Sequence, residues 1–158
     1  MKLYSIISSS SGNCSLITDG KVNILVDCGM SGKRATENLE KLAVSPNRLN
    51  AIFVTHEHID HTKGVGILAR KYNIPVFATH GTHINSDFGK VSDELINEVS
   101  PDITYDVSGI GVTPFSISHD ASDPCGYIFD NGKKRIAIAT DTGIITQGIL
   151  SRLSGCHS

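Results

Sequence analysis

Cysteine is scarce in this sequence and irregularly placed. Cys14, Cys28, Cys125 and Cys156 form no C-x-x-C pair. That excludes a zinc knuckle or a disulfide framework and leaves reduced thiols in a cytoplasmic protein as the expectation. Long apolar runs are absent too. Stretches such as Ile24-Leu25-Val26 and Ile136-Ala137-Ile138-Ala139 fall far short of the ~20 residues that cross a bilayer, so no membrane contact is expected. The start of the chain turns polar at Ser8 to Ser11, too early for the apolar region of a signal peptide. Excess basic charge is also missing. The net charge of −2 provides no global field to attract polyanions, although a local patch or metal ions can do the same work. No repeat or linker interrupts the chain, and its 158 residues are read as a single domain over 1–158 with a real core.

What is present alternates between strand and helix patterns. Strand-like runs cover 2–8, 13–18 and 22–27, with a turn at Asp19-Gly20. A helical pattern over 33–43 places Ala35, Leu39, Leu42 and Ala43 on one face and stops before Pro46. Strand 51–55, helix 62–72, strand 74–79 and a polar, weakly helical 82–98 follow. Strands 102–107 and 110–118 precede a hairpin, 126–130 with 135–140, turned at Asn131-Gly132; a short helix over 143–153 comes last. Strands interspersed with helices make this an α/β chain, and the hairpins make its sheet at least partly mixed.

Four apolar strands end in a metal-competent side chain: "NILVD" in Asp27, "IFVTH" in His56, "FSISH" in His119 and "IAIATD" in Asp141. Residues at strand ends can converge on one rim of a sheet, held by rigid elements yet open to solvent. The densest is "VTHEHIDHTKG", where three of the seven histidines and two acids fill positions 56 to 61. In an extended segment His56, His58 and Asp60 would point the same way, and His61 would need a bend near Thr62. That favours two adjacent metal positions, one with two imidazoles and one with a carboxylate and an imidazole. Such donors suit Zn²⁺, Mn²⁺ or Fe, and the lack of thiolates argues against a closed structural zinc site. The helical H-E-x-x-H arrangement fails on spacing.

"THEHIDH" resembles the H-x-H-x-D-H signature of the metallo-β-lactamase fold hydrolases, and Asp27, His119 and Asp141 in "ATDTG" occur in that family's order. "SSSSGNCSLI", "ILVDCGMSGK" and "ISHDASDPCGYIF" are similar to its YycJ/WalJ-like bacterial group, which are taken to be nucleases. The resemblance implies an αββα sandwich carrying two divalent metal ions, Zn or Mn and in some cases Fe. It implies His56, His58 and His119 on one metal, Asp60 and His61 on the second, and Asp141 bridging both. Asp27 would fix a ligand or loop by hydrogen bonds. A metal-bridging hydroxide, oriented by Asp60, would attack a phosphodiester in line. The loop Ser10, Ser11, Gly12 and Asn13 would border the site and could hydrogen-bond a phosphate.

The sequence departs from that family in one respect. Such enzymes supply a further ligand histidine from a later strand end, and usually another that helps the leaving group, whereas this chain stops at "SRLSGCHS". His157, 16 residues after Asp141, is not read as that ligand. The expectation is a C-terminally truncated member whose second half is incomplete, with a weakened second metal site. His80 and His83 read as surface or rim residues, Asp120 as a site hydrogen-bonder or a turn cap, and Asp123-Pro124 as shaping its loop. Lys133, Lys134 and Arg135 read as a solvated turn, and Cys28 and Cys125 as core thiols. The functional expectation is a metal-dependent phosphodiesterase or nuclease acting on nucleic acid. The alternatives are a thioester or lactone hydrolase of the glyoxalase II kind and an inactive metal-binding fragment.

Overall fold

A computed structural model describes residues 1–9, 12–118 and 120–139. Two sheets stack face to face. The first has six strands in the order β1 (Lys2–Ser9), β2 (Gly12–Thr18), β3 (Asn23–Val26), β4 (Ala51–Phe53), β5 (Val76–Ala78) and β6 (Ile96–Glu98). Hairpins make β1 to β3 antiparallel, while β3 to β6 run parallel. The second sheet is antiparallel, in the order β10 (Arg135–Ile138), β9 (Cys125–Asp130), β8 (Ile110–Ser116) and β7 (Tyr105–Val107).

The side-chain period of two divides the apolar residues between two cores. Leu16, Leu25 and Ile52 point outward, to a layer built with Ala35, Leu39 and Leu68 of helices α1 (Gly32–Lys41) and α3 (Val65–Tyr72). Ile17, Ile24, Val26 and Phe53 point inward, to Val112, Tyr127 and Phe129 of the second sheet. Both faces of β3 and β4 are therefore buried, and this is why Ile24–Val26 and Ala51–Phe53 are apolar without alternation. The Tyr127 hydroxyl donates to the Val54 carbonyl at 2.7 Å, tying the two sheets together in the buried core.

Helix α1 starts where the Ser31 hydroxyl accepts from the Arg34 amide at 3.2 Å. The helix expected over 62–72 is in fact two. A single turn, α2 (Ile59–Thr62), is separated from α3 by Lys63 and Gly64. Gly64 packs so tightly that a β-carbon there would lie 2.3 Å from the Met30 carbonyl oxygen, and its amide donates to the Cys28 carbonyl at 2.8 Å. The 82–98 stretch also differs from its weakly helical reading. It holds the end of a short helix, α4 (His80–Asn85), then a 3-10 turn at Asp93–Leu95, then strand β6. The three residues of β6 are too few to show alternation, and pairing with β5 makes them a strand. Strand 102–107 shortens to Tyr105–Val107 because Asp102 adopts a positive φ of 69°. The helix expected over 143–153 lies outside the described residues. Among the described residues no helix is long and apolar enough to cross a membrane.

Candidate metal centre

Strands β3 and β4 are parallel neighbours, with Val26 opposite Phe53, so the residues after each strand emerge side by side. Asp27 and the Thr55-His56 pair meet there. Asp27 turns at φ 59°, a conformation that Asp tolerates better than most residues. Its side chain is 2% exposed and accepts three hydrogen bonds. Oδ1 accepts from the Thr55 amide at 2.8 Å, and Oδ2 from the Thr55 hydroxyl at 2.8 Å and from His61 Nδ1 at 2.7 Å.

These bonds set two tautomers. The Thr55 proton is directed to Asp27, so His56 Nδ1, 2.9 Å from Thr55 Oγ1, must be the donor in that contact. His61 Nδ1 likewise donates to Asp27. In both neutral rings Nε2 then carries the lone pair, the form a metal-binding imidazole takes when a partner fixes its other nitrogen. Both side chains are fully buried. Burial pushes the Asp27 carboxyl above its ordinary value, opposed by its bonds to His61 and Thr55.

The alternation expected through His56, His58 and Asp60 ends early. His58 is extended at φ −61° and ψ 142°, but it caps α2, so Asp60 and His61 both lie in a helical turn. The bend falls before Asp60, not at Thr62. The turn still gathers the cluster: the His56 ring centroid is 4.7 Å from His58 and 4.1 Å from His61, and His61 Nε2 is 3.5 Å from Asp60 Oδ2. Ile59 points out to solvent.

Of the loop read as a phosphate neighbour, Ser10 and Ser11 lie outside the described residues. Asn13 is turned toward the cluster, and its Nδ2 donates to Asp60 Oδ2 at 3.2 Å. Gly12 and Gly29 allow close approach: a β-carbon on Gly29 would fall 1.7 Å from the Asp60 carbonyl oxygen.

His119 and Asp141 are outside the described residues, but the strands leading to them can be followed. Ser116, near the end of β8, pairs with Cys125, whose amide donates to the Thr55 carbonyl at 3.0 Å. Ile138, at the end of β10, pairs with Tyr127, which bonds Val54. Both strands thus run toward the rim that holds Thr55 and His56. Among the described residues no group of three or more ligand-type side chains is arranged to hold a metal ion. The donors that are described fit divalent cations in kind: imidazoles with fixed tautomers beside a carboxylate.

The weaker candidates settle elsewhere. His80 Nδ1 contacts Glu98 Oε2 at 2.5 Å on the surface, and His83 Nε2 donates to the Asn97 carbonyl at 2.8 Å. Burial lowers the His83 pKa. The Asp123 carbonyl accepts from Thr79 Oγ1 at 2.8 Å, so that loop is pinned to the start of α4. Asn131 Oδ1 accepts from the Lys133 and Lys134 amides in the hairpin turn. Thr55 was not singled out in the sequence. Its only signal is its place before the first histidine at a strand end.

A family model described as a Beta-lactamase superfamily domain matches residues 22–158. The chain belongs to the beta-lactamase superfamily. Solved structures agree on the fold of this superfamily member. Rm3 metallo-beta-lactamase superposes with a TM-score of 0.69 at 15% identity, covering 97% of this chain and 67% of that one. SMB-1, bound to 2-mercaptoethanesulfonate, gives 0.71 at 13% identity, covering 99% and 77%. The sandwich is therefore of the metallo-β-lactamase kind. Exodeoxyribonuclease YycJ of Bacillus anthracis is 37% identical over 165 residues, 98% of this chain and 60% of the relative. Exodeoxyribonuclease WalJ of Streptococcus pneumoniae is 40% identical over 162 residues, 96% and 60%. The superfamily member thus spans 60% of the length of these curated relatives.

Proposed function

We propose that this beta-lactamase superfamily member is a metal-dependent hydrolase of phosphodiester bonds in nucleic acid, acting as an exonuclease on DNA. The observation that carries the metal reading is the bonded chain His61–Asp27–Thr55–His56, which fixes two buried imidazoles side by side at the ends of β3 and β4. The nucleic-acid reading rests on the exodeoxyribonuclease names of the two relatives. The free, buried thiols of Cys14, Cys28 and Cys125 support a cytoplasmic location.

In this reading His56, His58 and His119 would hold one divalent cation and Asp60 and His61 a second, with Asp141 a ligand they share. Zinc or manganese there would supply a hydroxide nucleophile near neutral pH and offset charge on the phosphoryl oxygens. The protein's own part is orientation. Asp27 holds the His61 ring, Thr55 holds the His56 ring, and Asn13 bonds Asp60, whose carboxylate would align the attacking water.

The test, made on the full-length protein, is cleavage of end-labelled DNA and of bis-p-nitrophenyl phosphate with added Mn²⁺ or Zn²⁺, alongside metal content per chain. The expected result is two ions per chain and mononucleotide release. For His61→Ala a loss of at least ~100-fold in rate is expected, as for removal of a group that stabilises the transition state. One ion per chain with full His61→Ala activity would sink the two-metal reading. Turnover of a thioester or lactone with intact DNA would replace the phosphodiesterase reading with an acyl hydrolase.

A further inference from the structure

We propose that Glu57, the residue between His56 and His58, is a positioning residue for the loop that carries His119. The inference rests on the reading of His119 as a metal ligand. The loop joining β8 to β9 is closed at its base by the pairing of Ser116 with Cys125 and by the Ile117 amide donating to the Pro124 carbonyl at 3.4 Å. Beyond that base, described bonds tie its second half to two places. The Asp123 carbonyl is held by Thr79 Oγ1 at 2.8 Å and Thr82 Oγ1 at 3.4 Å, at the start of α4. The Ser122 amide donates to Glu57 Oε2 at 3.0 Å.

The Glu57 bond differs from the Thr79 and Thr82 bonds. It joins two stretches that are 65 positions apart, and one of them is the His-x-His segment itself. With Glu57 fixed between His56 and His58, the Ser122 amide takes its place relative to those two rings. His119 is three residues away in sequence. A bond from a backbone amide to a carboxylate is charge-assisted and directional. Glu57 is partly buried, with Oε1 shielded from solvent, and as a polar residue between two histidines it contributes little to either apolar core. Its effect should therefore appear in the geometry of the loop, with little effect on global stability.

The experiment measures Zn²⁺ affinity by competition with a chromophoric chelator, and amide exchange at Ser122, in the full-length protein. Glu57→Ala is expected to weaken the tightest site on the order of tenfold, in the range for groups that support metal ligands. Glu57→Gln keeps an acceptor oxygen and should stay within about threefold of wild type. Should Glu57→Ala prove insoluble, Glu57→Asp keeps the charge but loses the reach, and the same weakening is expected. Ser122 exchange should speed up in Glu57→Ala and Glu57→Asp but not in Glu57→Gln. In a His119→Ala background, Glu57→Ala should add less than about twofold, because the two act through one ligand. If His119→Ala weakens binding but Glu57→Ala does not, or if the two losses simply multiply, the positioning role is overturned and the ligand reading stands. If His119→Ala binds zinc as wild type does, the ligand reading fails and this inference falls with it.

Discussion

His61 Nδ1 and Asp27 Oδ2 stand 2.7 Å apart, with side chains 0% and 2% exposed. The two residues are 34 positions apart, one just after β3 and the other in α2, and the Thr55 hydroxyl shares the same carboxylate oxygen. A carboxylate buried this deeply is tolerated only because each of its oxygens accepts a bond. Removing it leaves the Thr55 amide, the Thr55 hydroxyl and the His61 ring without that acceptor. We expect Asp27→Ala to lose about 3 kcal/mol of stability, the range for breaking a buried bonded charge. Asp27→Asn should lose less, because Asn accepts the positive φ and keeps one carbonyl oxygen. Urea denaturation of the metal-free protein measures both, and a change below about 0.5 kcal/mol for Asp27→Ala would refute a structural role.

Gly29 gives a second prediction. A β-carbon there would lie 1.7 Å from the Asp60 carbonyl oxygen, 2.3 Å from its carbon and 2.8 Å from the Asn13 nitrogen. Three backbone atoms cannot move aside as a flexible side chain can. Gly29→Ala should cost about 3 kcal/mol or more through overpacking and should disturb Asp60 directly. Gly132, with φ 88° and no atom within 4 Å of an added β-carbon, is the control. There the substitution should cost only about 1–2 kcal/mol of backbone strain. Equal melting temperatures for the two variants would show that the close approach at Gly29 carries no energy.

Cys125 gives a third. Burial pushes its thiol up to about 12. At pH 8 its thiolate fraction in the native protein is then on the order of 10⁻⁴, against roughly a quarter for an ordinary exposed cysteine. Iodoacetamide should label Cys125 slowly in buffer and quickly in urea, as peptide mass mapping would show. The folded state holds this proton more tightly than the unfolded one. Between the ordinary thiol value and about 12, stability should therefore fall as pH rises, with this group's stabilisation fully present and independent of pH below that window. Rapid native labelling at pH 8 would contradict the buried, protonated thiol.

Much of the architecture was legible in the sequence. Short apolar runs, Ile24-Leu25-Val26 and Ala51-Ile52-Phe53, marked β3 and β4 as strands, and Asn131-Gly132 marked the β9/β10 hairpin. Strand β6 was not legible. Ile96–Glu98 is a strand because β5 offers it a parallel edge, and no pattern within three residues can announce that. The break between α2 and α3 was equally hidden, because Gly64 is required by the Met30 carbonyl, which lies 34 positions away in sequence.

The candidate site divides along the same line. Residue type and order along the chain were enough to single out His56, His58, Asp60, His61 and Asp27, because metal chemistry restricts the donors to a few side chains and strand ends carry them. The tertiary structure decided how those donors are held. The parallel pairing of β3 with β4 brings Asp27 to Thr55, the turn of α2 swings His61 back onto Asp27, and the close approach at Gly29 lets Asn13 reach Asp60. A hydrogen bond depends on a fraction of an ångström and on direction, and those are set by packing between elements distant in sequence. No local pattern of residues encodes them.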